Sequence, residues 1–369
     1  MSKASELANL IGNINAGGGG VNRNVIINGA MNVAQRGTSS TGLGATSGYY
    51  VCDRWKINTS TGGRYTVTQD SSVPTGKGFA NSLKFDCTTA DTSIASDEQI
   101  ILQQRIEGQN LQMFAKGTSD AKPFAVSFYV KGNATATYLC EIRDRDNSRS
   151  AGKTFNVTTD WTRVELTFDA DTTGAFDDDN ARSIDFNIIL HAGGNFTSGT
   201  LSNTFATTSD GNRVGNTGDG STSNISSFVD SVDRTFFITG VQLEVGQNPT
   251  EFEHEPFERT YLKCQRYFQK SYRYENYLAD NTGNGCVGYY ATSDADNMNI
   301  TWALPMRASP DMSIQRKNGG GANQAQRGNN AATYANLSSI VAVATGLEFL
   351  QDATNDAHFR FHYYADAEL

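Results

Sequence analysis

An all-β chain of antiparallel sandwiches is what this sequence encodes, and three of its features lead there. Glycine stands at 36 and proline at only 6, with Ser, Thr and Asn abundant, as in chains whose turns are made by Gly and Asn. Apolar and polar residues alternate with period two through one short run after another, the pattern of half-buried strands. Hardly any long helical pattern separates those runs, so successive strands pair antiparallel and their sheets pack face to face.

Composition bounds the rest. A length of 369 residues exceeds one ordinary core and predicts two domains with an appendage. A hydrophobic content of 38% suffices for thin sandwich cores, and aromatics at 10% are spread along the length, which excludes a disordered chain. The formal net charge of −9 removes the attraction on which sequence-independent nucleic-acid binding rests, so nucleic acid is not an expected partner. No run approaches the roughly 18–20 apolar residues of a membrane span. The N-terminus also lacks the form of a signal peptide. Synthesis in the cytoplasm without membrane insertion follows as the expectation. The cysteines, Cys52, Cys87, Cys140, Cys264 and Cys286, are odd in number, far apart and without a C-x-x-C pair; they read as reduced, small hydrophobes.

Residues 1–23 form the first expected unit, an attachment or oligomerisation peptide. Leu7, Leu10, Ile11 and Ile14 fall at helical spacing before the tract AGGGG, which no helix survives. A helix this short is marginal alone in water, so it docks, bundles with copies of itself or frays.

Residues 24–256 form the second unit, a jelly-roll sandwich. NVIINGAMNVAQRG reads as a strand, an Asn28-Gly29 turn and a second extended piece. GYYVCDRWKI places Trp55 near a buried edge beside Asp53 and Arg54, read as a structural ion pair. RYTVTQD and SLKFDCTT continue the strand cadence, and 100–106 is a strand followed by a short helix over 110–115. FAVSFYVKG, TYLCEIRDRD, KTFNVT, WTRVELTFDA and IDFNIILHAG are five further strands. Residues 192–227, poor in apolar side chains, read as a long surface loop. The strand from Phe236 to Glu244 returns to complete the sandwich, with Phe237, Thr239, Val241 and Leu243 on one face and Ile238, Gln242 and Glu244 on the other.

Residues 257–369 form a second, smaller β-sandwich with a leading helix. Phe257, Tyr261, Cys264, Phe268 and Tyr272 recur at spacings of four, three, four and four, an amphipathic helix that links the domains. Strands follow around Cys286–Thr292 and Met298–Leu304, and again toward the C-terminus.

No catalytic motif is present: no phosphate-cradling loop, no H-E-x-x-H and no G-x-S-x-G. The histidines His191, His254, His358 and His362 would form a metal cluster only by long-range convergence; His358 and His362 share one side of an expected strand, which alone does not make a metal site. No catalytic or metal-binding residue is assigned, and no enzyme is expected. A sugar ring stacks its flat apolar face on an exposed aromatic while its edge hydroxyls seek hydrogen bonds. Tyr49, Tyr50, Tyr289 and Tyr290 flank glycine-rich turns and are the candidate ligand-binding residues, with core or intersubunit packing as the alternative for each.

PFAVSFYVKG, WTRVELTF and FFITGVQLEVG together resemble the strand set of jelly-roll carbohydrate-binding modules. NVIINGAMNVAQRG, DRW, CQRYFQ, MRASP at 306–310 and the ending ADAEL resemble phage tail-fibre and other virion proteins carrying such a module; the segments cover most of 24–369, in order. The resemblance implies a virion surface protein, commonly a homotrimer, that joins other virion proteins through its N-terminal peptide and adheres to a host surface glycan. Two alternatives stand beside it, a capsid decoration or fibre protein and a glycan-cleaving tailspike. Calcium supports many such folds, and Asp169, Asp171, Asp177, Asp178 and Asp179 could supply its oxygen ligands; a solvated acidic loop is the competing reading, and no other cofactor is implied.

Overall fold

The computed structural model describes residues 2–15, 22–277, 283–291, 297–317, 322–327, 334–352 and 357–369. The glycine tract at 17–20 and the side chains of Leu10 and Ile14 lie outside what is described. The chain is all-β and forms two compact units: Met1–Ala34, Thr38–Pro256 and Leu369 make the first, Gln35–Gly37 and Phe257–Glu368 the second. No described helix is long and apolar enough to cross a membrane.

The first unit begins with helix α1 (Lys3–Asn15). Its strands are β1 (Ser39–Leu43), β2 (Gly48–Tyr49), β3 (Lys56–Ser60), β4 (Arg64–Asp70), β5 (Ser82–Thr89), β6 (Gln99–Glu107), β7 (Phe124–Gly132), β8 (Ala136–Asp144), β9 (Arg149–Val157), β10 (Thr162–Phe168) and β11 (Arg182–Ala192). Helix α2 (Gly194–Thr197), β12 (Ala206–Thr207), α3 (Gly211–Val214) and β13 (Thr235–Val245) complete it. Two antiparallel sheets result, one of six strands in the order β1-β4-β5-β13-β7-β10 and one of seven in the order β12-β9-β8-β11-β6-β3-β2. The chain repeatedly crosses between sheets, and β13 returns to the centre of the six-stranded one, as a jelly roll requires.

One core fills the space between the sheets. Trp55, Phe85, Phe128, Tyr138, Phe186 and Phe236 meet there, each 1% exposed or less. Tyr138 lies edge-on to Phe236 at 5.5 Å and Trp55 to Phe186 at 6.3 Å, the geometry aromatic quadrupoles favour.

Strand β13 does not keep the simple alternation its sequence suggests. Its register against β7 shifts between Thr239 and Gln242, a bulge centred on Gly240 at φ 63°. A Cβ at Gly240 would stand 2.5 Å from Phe79 Cζ, so only glycine fits there. The bulge swaps parity: Phe236, Ile238, Val241 and Leu243 all face the core, and Phe237 faces outward.

Two further sequence expectations are corrected, those for segments 24–37 and 192–227. Segment 24–37 keeps the expected turn at Asn28-Gly29, with Met31 N–H on the Asn28 carbonyl at 3.1 Å, but the pieces on either side of it form an irregular arm and not strands. The Asn28 side chain accepts from Val33 N–H at 3.0 Å and donates to the Val33 and Asp53 carbonyls, while Trp55 Nε1 donates to the Asn28 carbonyl at 3.0 Å. A side-chain amide thus replaces a sheet ladder in satisfying this backbone. Arg54 is 1% exposed and donates to the Arg105 carbonyl at 2.5 Å. Segment 192–227 is a folded cover rather than a surface loop: its Val214 and Ile225 pack on Ile101, Leu139 and Ile189, which point outward from the seven-stranded sheet. Few apolar residues sufficed because the sheet supplied the rest.

In the second unit the leading helix, α4 (Phe257–Gln265), stops well short of Tyr272. Tyr267 N–H bonds the Cys264 carbonyl, and Phe268 enters strand β14 (Phe268–Lys270). The remaining strands are β15 (Val287–Ala291), β16 (Asn297–Thr301), β17 (Asp311–Arg316), β18 (Gln324–Arg327), β19 (Tyr334–Val343), β20 (Gly346–Asp352) and β21 (Ala357–Asp366). All belong to one continuous antiparallel sheet in which β21 pairs with β14, β15, β17 and β18. Pairing of β14 with β21 ends the helix, because it satisfies the same backbone groups and buries Phe268 to 1% exposure. Trp302, Ile314, Phe359 and Phe361 form this unit's core.

Candidate functional site: an aromatic and cationic sheet face

The outer face of the six-stranded sheet carries aromatic side chains that the core does not use. Cross-strand register lines up Thr68 of β4, Lys84 of β5, Phe237 of β13 and Lys131 of β7 in one row. Trp161, immediately before β10, stands edge-on to Phe237 with centroids 6.1 Å apart and planes at 66°. The ammonium groups of Lys84 and Lys131 each lie 5.8 Å from the Phe237 centroid, a cation–π distance. Lys84 also pairs with Asp86 at 2.9 Å. Phe237 and Trp161 are half-buried, so each ring keeps part of a face open to solvent.

The same face continues into a second aromatic group. Phe79 meets Tyr129 at 5.5 Å, and Phe252 and His254 at 5.0 Å each. His254 Nε2 is hydrogen-bonded to the Lys77 carbonyl at 2.9 Å. Strands stand about 4.8 Å apart, so successive members of such a row come at a pitch comparable to one pyranose ring. Aromatic faces with ammonium and carboxylate groups beside them offer a saccharide both an apolar platform and hydrogen-bond partners.

The four tyrosines proposed from sequence fall elsewhere. Tyr49, half-buried in β2, donates its hydroxyl to the Leu369 carbonyl at 3.2 Å, and Lys56 stands 5.8 Å from its ring. Tyr50 turns back to donate to the Thr46 carbonyl at 2.7 Å and packs partly on the core. Tyr289 stacks on Phe359 at 5.3 Å and belongs to the edge of the second core. Tyr290 is 52% exposed, edge-on to His358 at 4.8 Å. Tyr49 and Tyr50 belong to the first unit and Tyr289 and Tyr290 to the second. Phe237 and Trp161 were not among them, although one signal was there: of two adjacent aromatics in a strand, Phe236 and Phe237, only one can enter a given core.

The seven-stranded sheet presents a different outer face, polar and closely bonded. Gln103 donates to Asn187 at 2.9 Å, Asn187 donates to Glu141 at 2.7 Å, and Arg213 of α3 grips both Glu141 oxygens at 2.9 and 2.7 Å. Burial alone would raise the Glu141 carboxyl, but the charge and hydrogen bonds of Arg213, with Asn187, hold it below its usual value.

Further along this sheet, Ser227, His191 and Glu98 form a chain. His191 Nδ1 lies 2.9 Å from Ser227 Oγ and its Nε2 lies 3.2 Å from Glu98 Oε2. His191 is fully buried, which lowers its pKa and keeps the ring neutral. Glu98 also accepts from Thr61 Oγ1 at 3.1 Å and the Gly62 N–H at 3.4 Å. Its oxygens thereby anchor the turn before β4.

The aspartates considered for calcium do not form a cation cage. Asp171 is 5% exposed and engaged by Arg149 at 2.7 Å and Lys116 at 3.1 Å. Among the described residues no group of three or more His, Cys, Asp and Glu side chains comes together to hold a metal ion. The donor set at Asp171 is already neutralised and does not fit a calcium ion.

Comparison with known proteins gives partial likenesses. No family model matches the chain, and no curated protein does. Among solved structures it is similar to the enzymatically active domain of tailspike protein 4 of bacteriophage CBA120, at 15% identity and a TM-score of 0.32, over 60% of this chain and 21% of the tailspike's. It is also similar to a putative sugar-binding protein from Bacteroides thetaiotaomicron, at 15% identity and a TM-score of 0.31, over 60% of this chain and all of that one. A family 4 carbohydrate-binding module aligns at 14% identity and a TM-score of 0.28, over 52% and 87% of the respective chains.

Proposed function

We propose that the chain is a phage virion protein of tail-fibre or receptor-binding type that adheres to host-surface glycans without cleaving them. The observation that carries this reading is the row of Lys84, Phe237 and Lys131 with Trp161 beside it, an aromatic and cationic platform on a sheet face that the core leaves open. The order of its sequence motifs, which resemble those of virion proteins with a carbohydrate-binding module, supports the virion setting.

Binding to immobilised glycans is the direct test. Trp161→Ala and Phe237→Ala should each weaken the best glycan about tenfold, roughly 1.4 kcal/mol, the scale of one lost stacking contact. Unchanged affinity in both variants would remove this face as the site.

Assembly follows from α1 in this reading. Leu7 is 57% exposed and Ile11 49%. Four residues apart, they share one helix side, which three copies can bury together. The intact protein at micromolar concentration should have the mass of a trimer; a persistent monomer would count heavily against it. Immunogold labelling of particles then separates tail from capsid, with label scattered over the capsid favouring the decoration-protein reading.

A further inference from the structure

A charge imbalance marks the outer face of the seven-stranded sheet. Register places Arg105 of β6, Asp185 of β11 and Arg143 of β8 in one row. Asp185 is 1% exposed and already gripped by both arms of Arg182, while Arg145 reaches it only at 3.9 Å. Arg105 is turned to Gln103 at 2.8 Å and to the Leu369 carbonyl. Arg143, half-buried, has no side-chain hydrogen bond or ion pair among the described residues.

These groups repel one another. The Arg143 guanidinium is held below its usual pKa by burial and by Arg213 and Arg145, against the opposing pull of Glu141 and Asp185, and that of Arg105 by burial and by Arg182 and Arg145, against Tyr49 and Asp185. Arginines crowded in this way are expected where an anion completes them, since like charges otherwise raise the energy of the folded state. Their occurrence in a chain of formal net charge −9 makes the crowding local and specific.

We propose that Arg143 and Arg145 form a recognition site for one anionic group of an acidic saccharide, a carboxylate or a sulfate. Arg143 stands opposite Asp185 in the β8–β11 register, and Arg145, the first residue of the turn after β8, reaches the same Asp185 at 3.9 Å, so both residues flank one carboxylate. Each guanidinium offers a planar fork that matches either group. An extended polyphosphate is disfavoured as the occupant, because it needs many cationic contacts and the chain as a whole is acidic. The choice of saccharide rests on the glycan-adhesion reading; the anion site itself does not.

The test compares wild type with Arg143→Gln/Arg145→Gln in two measurements. In thermal unfolding at equal ionic strength, sulfate should raise the midpoint of wild type more than that of the double variant. Without sulfate, the variant should be as stable as wild type or more so, which a merely structural role would not give. Equal sulfate effects in the two proteins would overturn the site.

In titration calorimetry, a uronic-acid and a sulfated oligosaccharide should bind wild type at least tenfold more tightly than the variant, with a neutral oligosaccharide unaffected; which acidic probe binds more tightly assigns the anion. Equal affinities for both proteins would overturn the proposal while leaving glycan adhesion standing. If wild type binds no oligosaccharide but keeps its sulfate response, the saccharide is overturned and the anion site stands. Duplex DNA binding wild type as tightly as the acidic oligosaccharides would overturn the saccharide assignment in favour of a polyanion.

Discussion

Lys116→Met should destabilise the first unit by about 3–5 kcal/mol, the cost of leaving buried charge without its partner. The Lys116 ammonium lies 2.7 Å from Asp144 and 3.1 Å from Asp171, and it donates to the carbonyls of Thr173 and Gly174 at 2.7 Å each. Its side chain is fully out of solvent, as is that of Asp144. Phe176 and Phe205 flank it at 5.3 and 6.0 Å, which excludes water and strengthens every one of these contacts. The same ammonium joins the end of β8 to the loop after β10, so its loss acts on two segments at once. Removal leaves the Asp144 carboxylate without its cation, held only by Asn147 N–H and Nδ2 at 3.0 Å each, and leaves Asp171 with Arg149 and the Thr173 N–H.

Urea denaturation of the whole chain, followed by tryptophan fluorescence, reads the effect through Trp55 and Trp161 of the first unit. A loss below about 1 kcal/mol would place Lys116 among ordinary surface cations. Asp171, which Arg149 and Lys116 hold below its usual pKa against burial that would raise it, should then titrate higher in the variant.

The sandwich was legible wherever a strand kept strict alternation. Phe124–Gly132 and Thr162–Phe168 pair through seven residues without a shift, and both were readable from apolar positions alone. Reading failed where a nonlocal partner decided the outcome. The pattern from Phe257 to Tyr272 fits a helix by spacing, yet β21 supplies a ladder that captures Phe268 through Lys270. Segment 24–37 looks extended, but Asn28 at φ 59° and its amide bonds to Val33 and Asp53 fix it otherwise.

The candidate site was hidden for a related reason. Phe237 reaches solvent because of the bulge at Gly240 and gains its lysines from strands about 100 and 150 residues earlier in the chain, which no local window can see. Side-chain parity was knowable only once the register of β13 against both neighbours was known.

Arg213→Met should cost a similar 3–5 kcal/mol at pH 7, and here the pH dependence carries the argument. Glu141 is 1% exposed and Arg213 7%, and they form a bidentate pair beneath α3. In wild type the Glu141 carboxyl sits below its unfolded value of about 4.3. It therefore contributes stability that is fully present above that value and is lost as pH falls through the folded pKa. In the variant burial is no longer opposed by Arg213, and the carboxyl rises above its unfolded value, leaving a buried group that must neutralise. Its contribution then favours the folded state at low pH and is lost as pH rises. The deficit of the variant should shrink steadily between pH 7 and pH 4, whereas simple loss of packing would leave it constant. Glu141→Leu with Arg213→Met should recover most of the loss, because two well-packed apolar side chains leave no charge stranded. A double variant as unstable as Arg213→Met alone would mean that α3 is held by packing with Val214 and Ile225 and not by the ion pair.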